Sequence, residues 1–247
     1  MKKERILALG FFDGVHLGHG ALLRRVKERS LETGLPACAL SFDVHPAGLV
    51  LGRSPALLTT AESRARLMRE LYGMDEVLIA HFDEAMMRMP WETFAEDYLA
   101  QRLGAAHVVC GTDFRFGFGG KGTAELLQKK CAALRVGCDV LEKVSLDGQI
   151  VSSTKIRALL EAGDALQAAR FLGHAYSLPC RTLSRDGGCV RLMPQEGLLL
   201  PAQGLYRGSI GGRPCRLLVE KGFLTAPDAA DAPPETEAVF LEKEEEP

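Results

Sequence analysis

The sequence lacks any long hydrophobic segment, and neither positive nor negative charge is in large excess. Its 247 residues are 47% hydrophobic and 25% charged, with a net charge of −2, which is typical of globular proteins and excludes disorder throughout. No apolar run approaches the roughly 20 residues that span a bilayer. Lys2 and Lys3 lead into a strand-like segment without a secretory hydrophobic region. These absences predict a cytoplasmic protein without membrane partners.

Paired cysteines are also lacking. Seven cysteines are present, which is an odd number, and no two of them form a CxxC pair. Neither a disulfide scaffold nor a zinc site is therefore indicated. We expect buried, reduced thiols and no metal site built from protein ligands alone.

The small net charge hides an uneven distribution. Residues 225–247 carry eight acidic residues and one lysine, a net charge of −7, which leaves +5 for residues 1–224. A mildly basic folded part suits a small polyphosphate ligand, whereas a long nucleic acid requires a basic stripe. Pro227, Pro233 and Pro234 lie among the alanines and glutamates of this segment. This composition predicts an acidic, disordered tail.

Strand-like and helical patterns alternate through the first two thirds of the chain. Short apolar runs, each followed by a helical pattern, occur at 6–12, 36–42, 76–82 and 107–111. This alternation predicts an α/β fold with a doubly wound, Rossmann-like parallel sheet in a domain over residues 1–174. Ligands of such sheets bind at the carboxyl ends of the strands. Shorter β-like runs broken by glycine and proline predict a small β domain at 175–224.

The first strand ends in Gly10-Phe-Phe-Asp-Gly-Val-His-Leu-Gly-His19, directly before a helix. This places His16 and His19, with Gly18 between them, at a helix N-terminus, where free N–H groups attract anions such as phosphate. Two other interpretations exist. In the first, the glycines only shape a tight turn and the histidines cap the helix. In the second, the two histidines bind a metal ion, although no third type of ligand clusters with them.

Two further segments carry polar residues where strands end or helices begin. Ser152, Ser153 and Thr154 form a helix cap, and Arg157 returns to the same helix face, so that hydroxyls and a guanidinium converge on one anion. The loop Asp113-Phe-Arg-Phe-Gly117 offers a carboxylate and two aromatic rings for a planar ligand. The alternatives are an ordinary helix cap and aromatic rings buried in the core.

These motifs, in this order over residues 5–173, resemble the adenylyltransferase module of bacterial FAD synthetases, within the HxGH nucleotidyltransferase superfamily. The matching segments are the turn ending in His16-Leu-Gly-His19, Ser41-Phe-Asp-Val-His-Pro46, Leu58-Thr-Thr60, Phe82-Asp83, Cys110-Gly-Thr-Asp-Phe-Arg-Phe-Gly117 and Val151-Ser-Ser-Thr-Lys-Ile-Arg157. The resemblance implies a parallel sheet of the nucleotidyltransferase type. In that family the module is usually fused to a riboflavin kinase domain. Here Leu200–Tyr206 resembles a kinase strand, but the Pro-Thr-x-Asn motif has no counterpart, which implies a shortened kinase-like remnant.

The resemblance implies transfer of the adenylyl group of ATP to FMN, giving FAD and pyrophosphate, without riboflavin kinase activity. Mg²⁺ would accompany ATP, bound mainly by the substrate phosphates. The implied catalytic residues are His16, His19 and Arg157. The implied ATP-binding set comprises Gly10, Phe11, Asp13, Gly14, His16, Gly18, His19, Ser152, Ser153, Thr154 and Arg157. The implied FMN-binding set comprises His45, Pro46, Asp113, Phe114 and Phe116.

Several alternatives stay open at this point. Asp13 either orients the turn or assists Mg²⁺ through water. The acceptor is either FMN or another phosphorylated molecule, and the chain is either an enzyme or a non-catalytic flavin- or nucleotide-binding protein. The sequence also leaves the oligomeric state open.

Overall fold

The computed structural model describes residues 3–52, 54–227, 229 and 231–244, which fall into two compact units. Residues 1–55 and 61–145 contribute the first unit, and residues 56–60 and 146–247 contribute the second. Within the described part of the chain, no helix is long and apolar enough to cross a membrane.

The first unit is built on a parallel sheet with flanking helices. Its strands are β1 (Arg5–Leu9), β2 (Ala37–Phe42), β3 (Glu76–Ala80), β4 (Ala105–Gly111), β5 (Arg115–Phe116), β6 (Gly122–Thr123) and β7 (Gly137–Leu141). Its helices are α1 (Leu17–Thr33), α2 (Pro46–Leu51), α3 (Ala61–Tyr72), α4 (Glu84–Arg88), α5 (Trp91–Thr93) and α6 (Ala124–Leu134). A π-helical segment, Phe94–Arg102, continues α5, and a 3-10 turn covers Phe118–Gly120.

The sheet order is β3-β2-β1-β4-β7, and all neighbouring strands are parallel. This confirms the predicted doubly wound α/β fold. From β1 the chain adds strands on one side and then returns to add β4 and β7 on the other. The order therefore reverses between β1 and β4, which is where open α/β sheets bind their ligands. The loops after these two strands flank that point.

The central strands are apolar because both faces of the sheet are covered. On one face Ile6 and Ala8 of β1 pack with Leu23 and Val26 of α1. The opposite face has its own buried cluster, whose principal members are Leu7, Leu9, Leu40, Val108, Cys110 and Phe94. Alternate residues of β1 thus face opposite layers, and the strand is fixed in register on both sides.

The second unit contains two helices and a closed barrel. A short hairpin, β8 (Ser145–Leu146) and β9 (Gln149–Ile150), precedes α7 (Ser153–Glu161) and α8 (Ala165–Leu172). The barrel strands are β10 (Tyr176–Asp186), β11 (Cys189–Pro194), β12 (Gly204–Ile210), β13 (Arg213–Val219), β14 (Leu224–Ala226) and β15 (Glu235–Lys243). They close in the order β10-β11-β14-β13-β12-β15.

The prediction of a disordered tail over residues 225–247 is wrong for its central part. Strand β15 pairs with β10 on one side and with β12 on the other, and so closes the barrel. Ala238 and Phe240 are fully buried, whereas Leu241 between Phe240 and Glu242 is exposed. This alternation has the period of a strand, and the many charges of the segment hide it in composition. Asp228, Ala230 and residues 245–247 lie outside the described residues.

The predicted boundary at residue 174 also differs from the structure. Helices α7 and α8 belong to the second unit, where α8 packs against β10 and β15. The apolar face of α8 explains this placement, because Ala168, Phe171 and Leu172 are buried. The helical pattern alone does not indicate which sheet that face covers.

All seven cysteines are free thiols in the structure. Four are buried, namely Cys38, Cys110, Cys131 and Cys180, and the other three are partly exposed. The expectation of unpaired thiols is confirmed, and that of burial holds for four of the seven.

The role of β15 generates a stability prediction. Phe240 is fully buried, with its ring centroid 5.5 Å from that of Tyr206 and 6.1 Å from that of Tyr176. Phe240→Ala should lower the free energy of unfolding of the barrel by about 3–5 kcal/mol, because it removes a buried ring and leaves a cavity. Leu241→Ala, one residue away and 48% exposed, should cost about 0.5 kcal/mol or less.

Hydrogen exchange of the barrel amides in the intact chain measures both variants without assuming that the two units unfold together. An effect of Phe240→Ala as small as that of Leu241→Ala would contradict the placement of β15 in the barrel.

Candidate active site at the carboxyl edge of the sheet

The turn between β1 and α1 has an unusual backbone. Phe12, Gly14 and Val15 have φ angles of 61°, 79° and 42°. For Phe12 and Val15, which carry side chains, this conformation is strained and persists only where the surroundings enforce it. Both are almost completely buried, and a Cβ on Gly10 would lie 3.1 Å from the Phe12 ring. The packing of the turn therefore fixes its backbone.

Both motif histidines lie at the start of α1, as their spacing predicts. His16 is the N-cap, and its Nδ1 accepts a hydrogen bond from the His19 backbone N–H at 3.3 Å. The two imidazole rings stack, with centroids 3.6 Å apart and planes 13° from parallel. The Phe12 ring packs edge-on against His19 at 5.2 Å. The pair is thus held at the positive end of a 17-residue helix.

The surroundings of His19 disfavour its charged form. Its Nδ1 is enclosed and has no hydrogen-bond partner among the described residues. Burial, then the neighbouring His16, then the Arg64 guanidinium hold the pKa of His19 well below its ordinary value. The neutral form of the ring is therefore favoured. A neutral imidazole is able to donate one N–H to a phosphate oxygen.

The loop after β2 carries the next candidate residues. His45 is the N-cap of α2, and its Nδ1 accepts a hydrogen bond from the Ala47 backbone N–H at 3.1 Å. Pro46 occupies the first helical position. The His45 ring meets the Phe11 ring edge-on at 4.6 Å. The predicted FMN-side histidine therefore contacts the turn that carries the predicted ATP-side histidines.

Asp43 connects this loop to the end of β3. Its carboxylate lies 2.5 Å from Nδ1 of His81 and accepts hydrogen bonds from the backbone N–H groups of Val44 and Phe82. Although burial opposes it, these hydrogen bonds hold the pKa of Asp43 below its usual range. The same contact raises the pKa of His81. The pair ties together two neighbouring loops at the carboxyl edge.

The loop after β4 separates the three residues predicted there. Asp113 is exposed and forms an ion pair with Lys143 at 3.0 Å. Phe114 and Phe116 stack with centroids 5.3 Å apart. Phe116 is buried against Phe94, whereas Phe114 keeps part of its surface accessible. The packing of Phe116 matches the core interpretation of this loop, and Asp113 and Phe114 are the residues with surface available to a ligand.

The predicted phosphate-binding helix start belongs to the second unit. Ser152 is the N-cap of α7, and its Oγ accepts a hydrogen bond from the Lys155 backbone N–H at 3.2 Å. Ser153 and Thr154 lie in the first helical turn. Nε of Arg157 donates to the Ala56 carbonyl at 2.8 Å. The cap and the helix therefore form locally where the sequence predicts them.

One residue of this region escaped the sequence reasoning. Arg64 of α3 is fully buried, and its Nη1 and Nη2 donate to the carbonyls of Phe11 and Phe42, each at 2.8 Å. Its guanidinium carbon lies 4.0 Å from the centroid of the Phe11 ring. Burial lowers its pKa to about 10, against the opposing effect of Asp13 and Asp43. The sequence signal was an arginine four residues before the buried Met68, on the apolar face of α3.

The fold and the site together define the class. A parallel sheet whose order reverses beside a turn with two stacked histidines at a helix N-terminus is that of an HxGH-type nucleotidyltransferase. The model of the FAD synthetase family matches residues 1–155. The chain belongs to that family.

Two relatives show the extent of the similarity. A bifunctional riboflavin kinase/FMN adenylyltransferase of Pseudomonas fluorescens is 34% identical over 179 residues, which are 72% of this chain and 57% of that protein. The protein of the same description from Escherichia coli K12 is 31% identical over 216 residues, 84% of this chain and 68% of its own length. The chain thus spans little more than half to two thirds of these relatives.

A solved structure has a similar fold. The crystal structure of a macrolide-efflux protein from Streptococcus pneumoniae superimposes with a TM-score of 0.87, covering 100% of this chain and 87% of that one. The sequence identity is 20%, so this likeness speaks for the fold alone. The second unit contains a closed six-stranded, riboflavin kinase-like barrel, which agrees with the expected kinase-like domain but extends through β15 to Lys243, beyond the predicted end at residue 224.

Proposed function

We propose that the chain transfers the adenylyl group of ATP to FMN. An oxygen of the FMN phosphate forms a bond to the α-phosphorus of ATP, the bond from that phosphorus to the bridging oxygen breaks, and pyrophosphate leaves with the electron pair. The products are FAD and pyrophosphate. The observation that supports this most strongly is the stacked His16 and His19 pair at the start of α1, beside the reversal of the strand order.

Adenylyl transfer to a phosphate does not require a general base. A phosphate oxygen is already ionised near neutral pH, so no side chain needs to remove a proton from the nucleophile. The reaction requires two anions held in line and the charge on the leaving pyrophosphate to be neutralised. Hydrogen-bond donors fixed before the reaction are therefore the main source of catalysis.

We assign the binding of ATP to the rigid β1–α1 turn and to the start of α7. His16 and His19, with the backbone of Gly10, Phe11, Gly14 and Gly18, would contact the ATP phosphates. Ser152, Ser153, Thr154 and Arg157 at the start of α7 would hold the leaving β- and γ-phosphates. These roles follow from the family resemblance and from donors at two helix starts.

On the FMN side we assign His45 and Pro46 after β2 and Asp113 and Phe114 after β4. Both loops lie at the carboxyl edge of the sheet, and His45 already contacts Phe11. Phe116 would support Phe114 from beneath, since their rings stack. The site thus offers a carboxylate and an apolar surface for the planar flavin.

Magnesium fits the donor set of the turn. Mg²⁺ in nucleotide sites is usually held by one or two carboxylates together with substrate phosphates. Asp13, which is buried within the β1–α1 turn, would either assist the ion through water or orient the turn. When bound with ATP, the ion would supply positive charge against the phosphates.

Removing a fixed donor tests the proposal. His19→Ala and, separately, Arg157→Ala should each lower the rate of FAD formation from FMN and ATP by on the order of 10²-fold, because each removes a preorganised phosphate contact. Chromatography of the flavins measures the product, and thermal melting checks the fold. Leu31→Ala, on an exposed position of α1, is the control and should leave the rate unchanged.

The proposal fails if the unmodified protein forms no FAD from FMN, ATP and Mg²⁺. Near-normal turnover in a folded His19→Ala variant would instead remove His19 from the catalytic residues.

We further propose that the barrel does not phosphorylate riboflavin. That reaction requires a carboxylate to accept the proton of a ribityl hydroxyl, because an alcohol is a poor nucleophile near neutral pH. The Pro-Thr-x-Asn segment is lacking in the sequence. The acidic residues of 176–224 are Asp186, Glu196 and Glu220; the first two are exposed, as ordinary surface charges are, and Glu220 accepts a hydrogen bond from Thr225.

The same preparation should therefore distinguish two flavin substrates. With ATP and Mg²⁺, riboflavin should yield neither FMN nor FAD, because the hydroxyl is not activated, whereas FMN should yield FAD. Chromatographic separation of the three flavins is the measurement. FMN appearing from riboflavin, in an amount that follows the protein concentration, would overturn this part of the proposal.

A further inference from the structure

We propose that Arg64 is a positioning residue for adenylyl transfer, which holds the turn carrying His16 and His19 in a fixed place relative to the loop carrying His45. The inference rests on the proposed function, but its evidence is separate from the evidence for the β1–α1 turn and for the start of α7. Arg64 lies in α3, outside every segment assigned to substrate.

The guanidinium of Arg64 lies in the protein interior. Arg64 is the largest fully buried side chain of the described residues. Placing a charge in the interior is costly unless hydrogen bonds compensate, and an apolar residue of similar size would pack on the same face of α3 beside Met68. A buried cation at this position is therefore weak evidence for stability and points to another role.

The guanidinium of Arg64 connects two segments of the chain through hydrogen bonds. Its two terminal nitrogens donate to carbonyls of two different chain segments, Phe11 after β1 and Phe42 at the end of β2, each at 2.8 Å. These are neighbouring parallel strands. A rigid planar fork fixes the distance between the two carbonyls, and a single ammonium group does not reproduce this.

Phe11 contacts Ser41, Arg64 and His45, and it directly precedes the strained turn. Its carbonyl also accepts a hydrogen bond from the buried Ser41 hydroxyl at 2.8 Å. The Arg64 guanidinium lies over the Phe11 ring at 4.0 Å, and the same ring contacts His45 at 4.6 Å. Phe11 directly precedes Phe12, the first residue of the turn with positive φ. Holding Phe11 thus fixes both the strained turn and the position of His45.

The charge of Arg64 also reaches His19. Within the described residues, His16 from the same turn and Arg64 from α3 are the charged or titratable groups that act on His19, and both lower its pKa, as burial does. Asp13 and Asp43 act in turn on Arg64. Removing the guanidinium charge makes the imidazolium form of His19 less unfavourable. The pKa of His19 must then rise.

Three variants separate charge from geometry. Arg64→Met removes both the charge and the fork at similar volume. Arg64→Lys keeps the charge but loses the planar fork. Arg69→Met removes an exposed arginine of the same helix and is the control. The titration of His19 is followed by NMR with ring-labelled histidine, its signal assigned by its loss in His19→Gln, and turnover and thermal melting are measured beside it.

In Arg64→Met we expect a higher pKa for His19 and turnover lower by on the order of 10²-fold. In Arg64→Lys we expect the pKa of His19 to stay low while turnover falls about tenfold, since only the geometry is lost. Arg69→Met should match the unmodified protein in both measurements.

The inference is overturned if Arg64→Met leaves the His19 titration where Arg69→Met leaves it, or if activity falls only in proportion to the unfolded fraction. If Arg64→Met does not fold, Arg64→Lys decides: turnover equal to that of Arg69→Met overturns the inference, and a tenfold loss in folded protein supports it. The NMR titration does not depend on the acceptor. A shifted His19 in a protein that makes no FAD would therefore reject the proposed function, and with it a role in adenylyl transfer, but would keep the inference that Arg64 holds the turn in place.

Discussion

The candidate site depends on one constraint: the chain must pass from the buried strand β1 to the first turn of α1 through a backbone that the residues at 12 and 15 do not adopt readily. Buried packing of Phe12 and Val15 and hydrogen bonds to the Phe11 carbonyl enforce that conformation. The positions of His16, His19 and His45 follow from it. The turn brings two imidazoles together at the positive end of a long helix, and its Phe11 ring determines where His45 can lie.

The electrostatics of the site follow from the same arrangement. A helix N-terminus and backbone N–H groups attract anions without a local excess of charged side chains. Arg64 of α3 is buried, and its guanidinium donates to the carbonyls of Phe11 and Phe42. The N–H donors of the turn are thus fixed before a phosphate binds, and burial, His16 and Arg64 together keep the pKa of His19 low. This is the preorganisation that phosphoryl and nucleotidyl transfer require.

Sequence reasoning succeeded where the signal is local. The glycines and histidines of residues 10–19 and the serines before α7 define turns and caps through their immediate neighbours, and the structure forms both. The alternation of strands and helices was sufficient for the parallel sheet. Sequence reasoning failed where the contacting residues are distant in sequence. Arg64 meets Phe11 across 53 positions, and the burial of Phe116 depends on Phe94. The strand β15 was hidden because its charges dominate the composition, although Ala238 and Phe240 keep the strand period.

The most direct test of the account is to follow the phosphates of ATP. The protein is incubated with FMN and Mg²⁺ together with ATP labelled either at the α-phosphate or at the γ-phosphate, and flavins are separated from pyrophosphate. Adenylyl transfer predicts that the α-label enters a flavin product that co-migrates with FAD, and that the γ-label leaves in pyrophosphate. A γ-label found in a flavin, or an α-label that stays in ATP, ADP or AMP and never appears in a flavin, would contradict it.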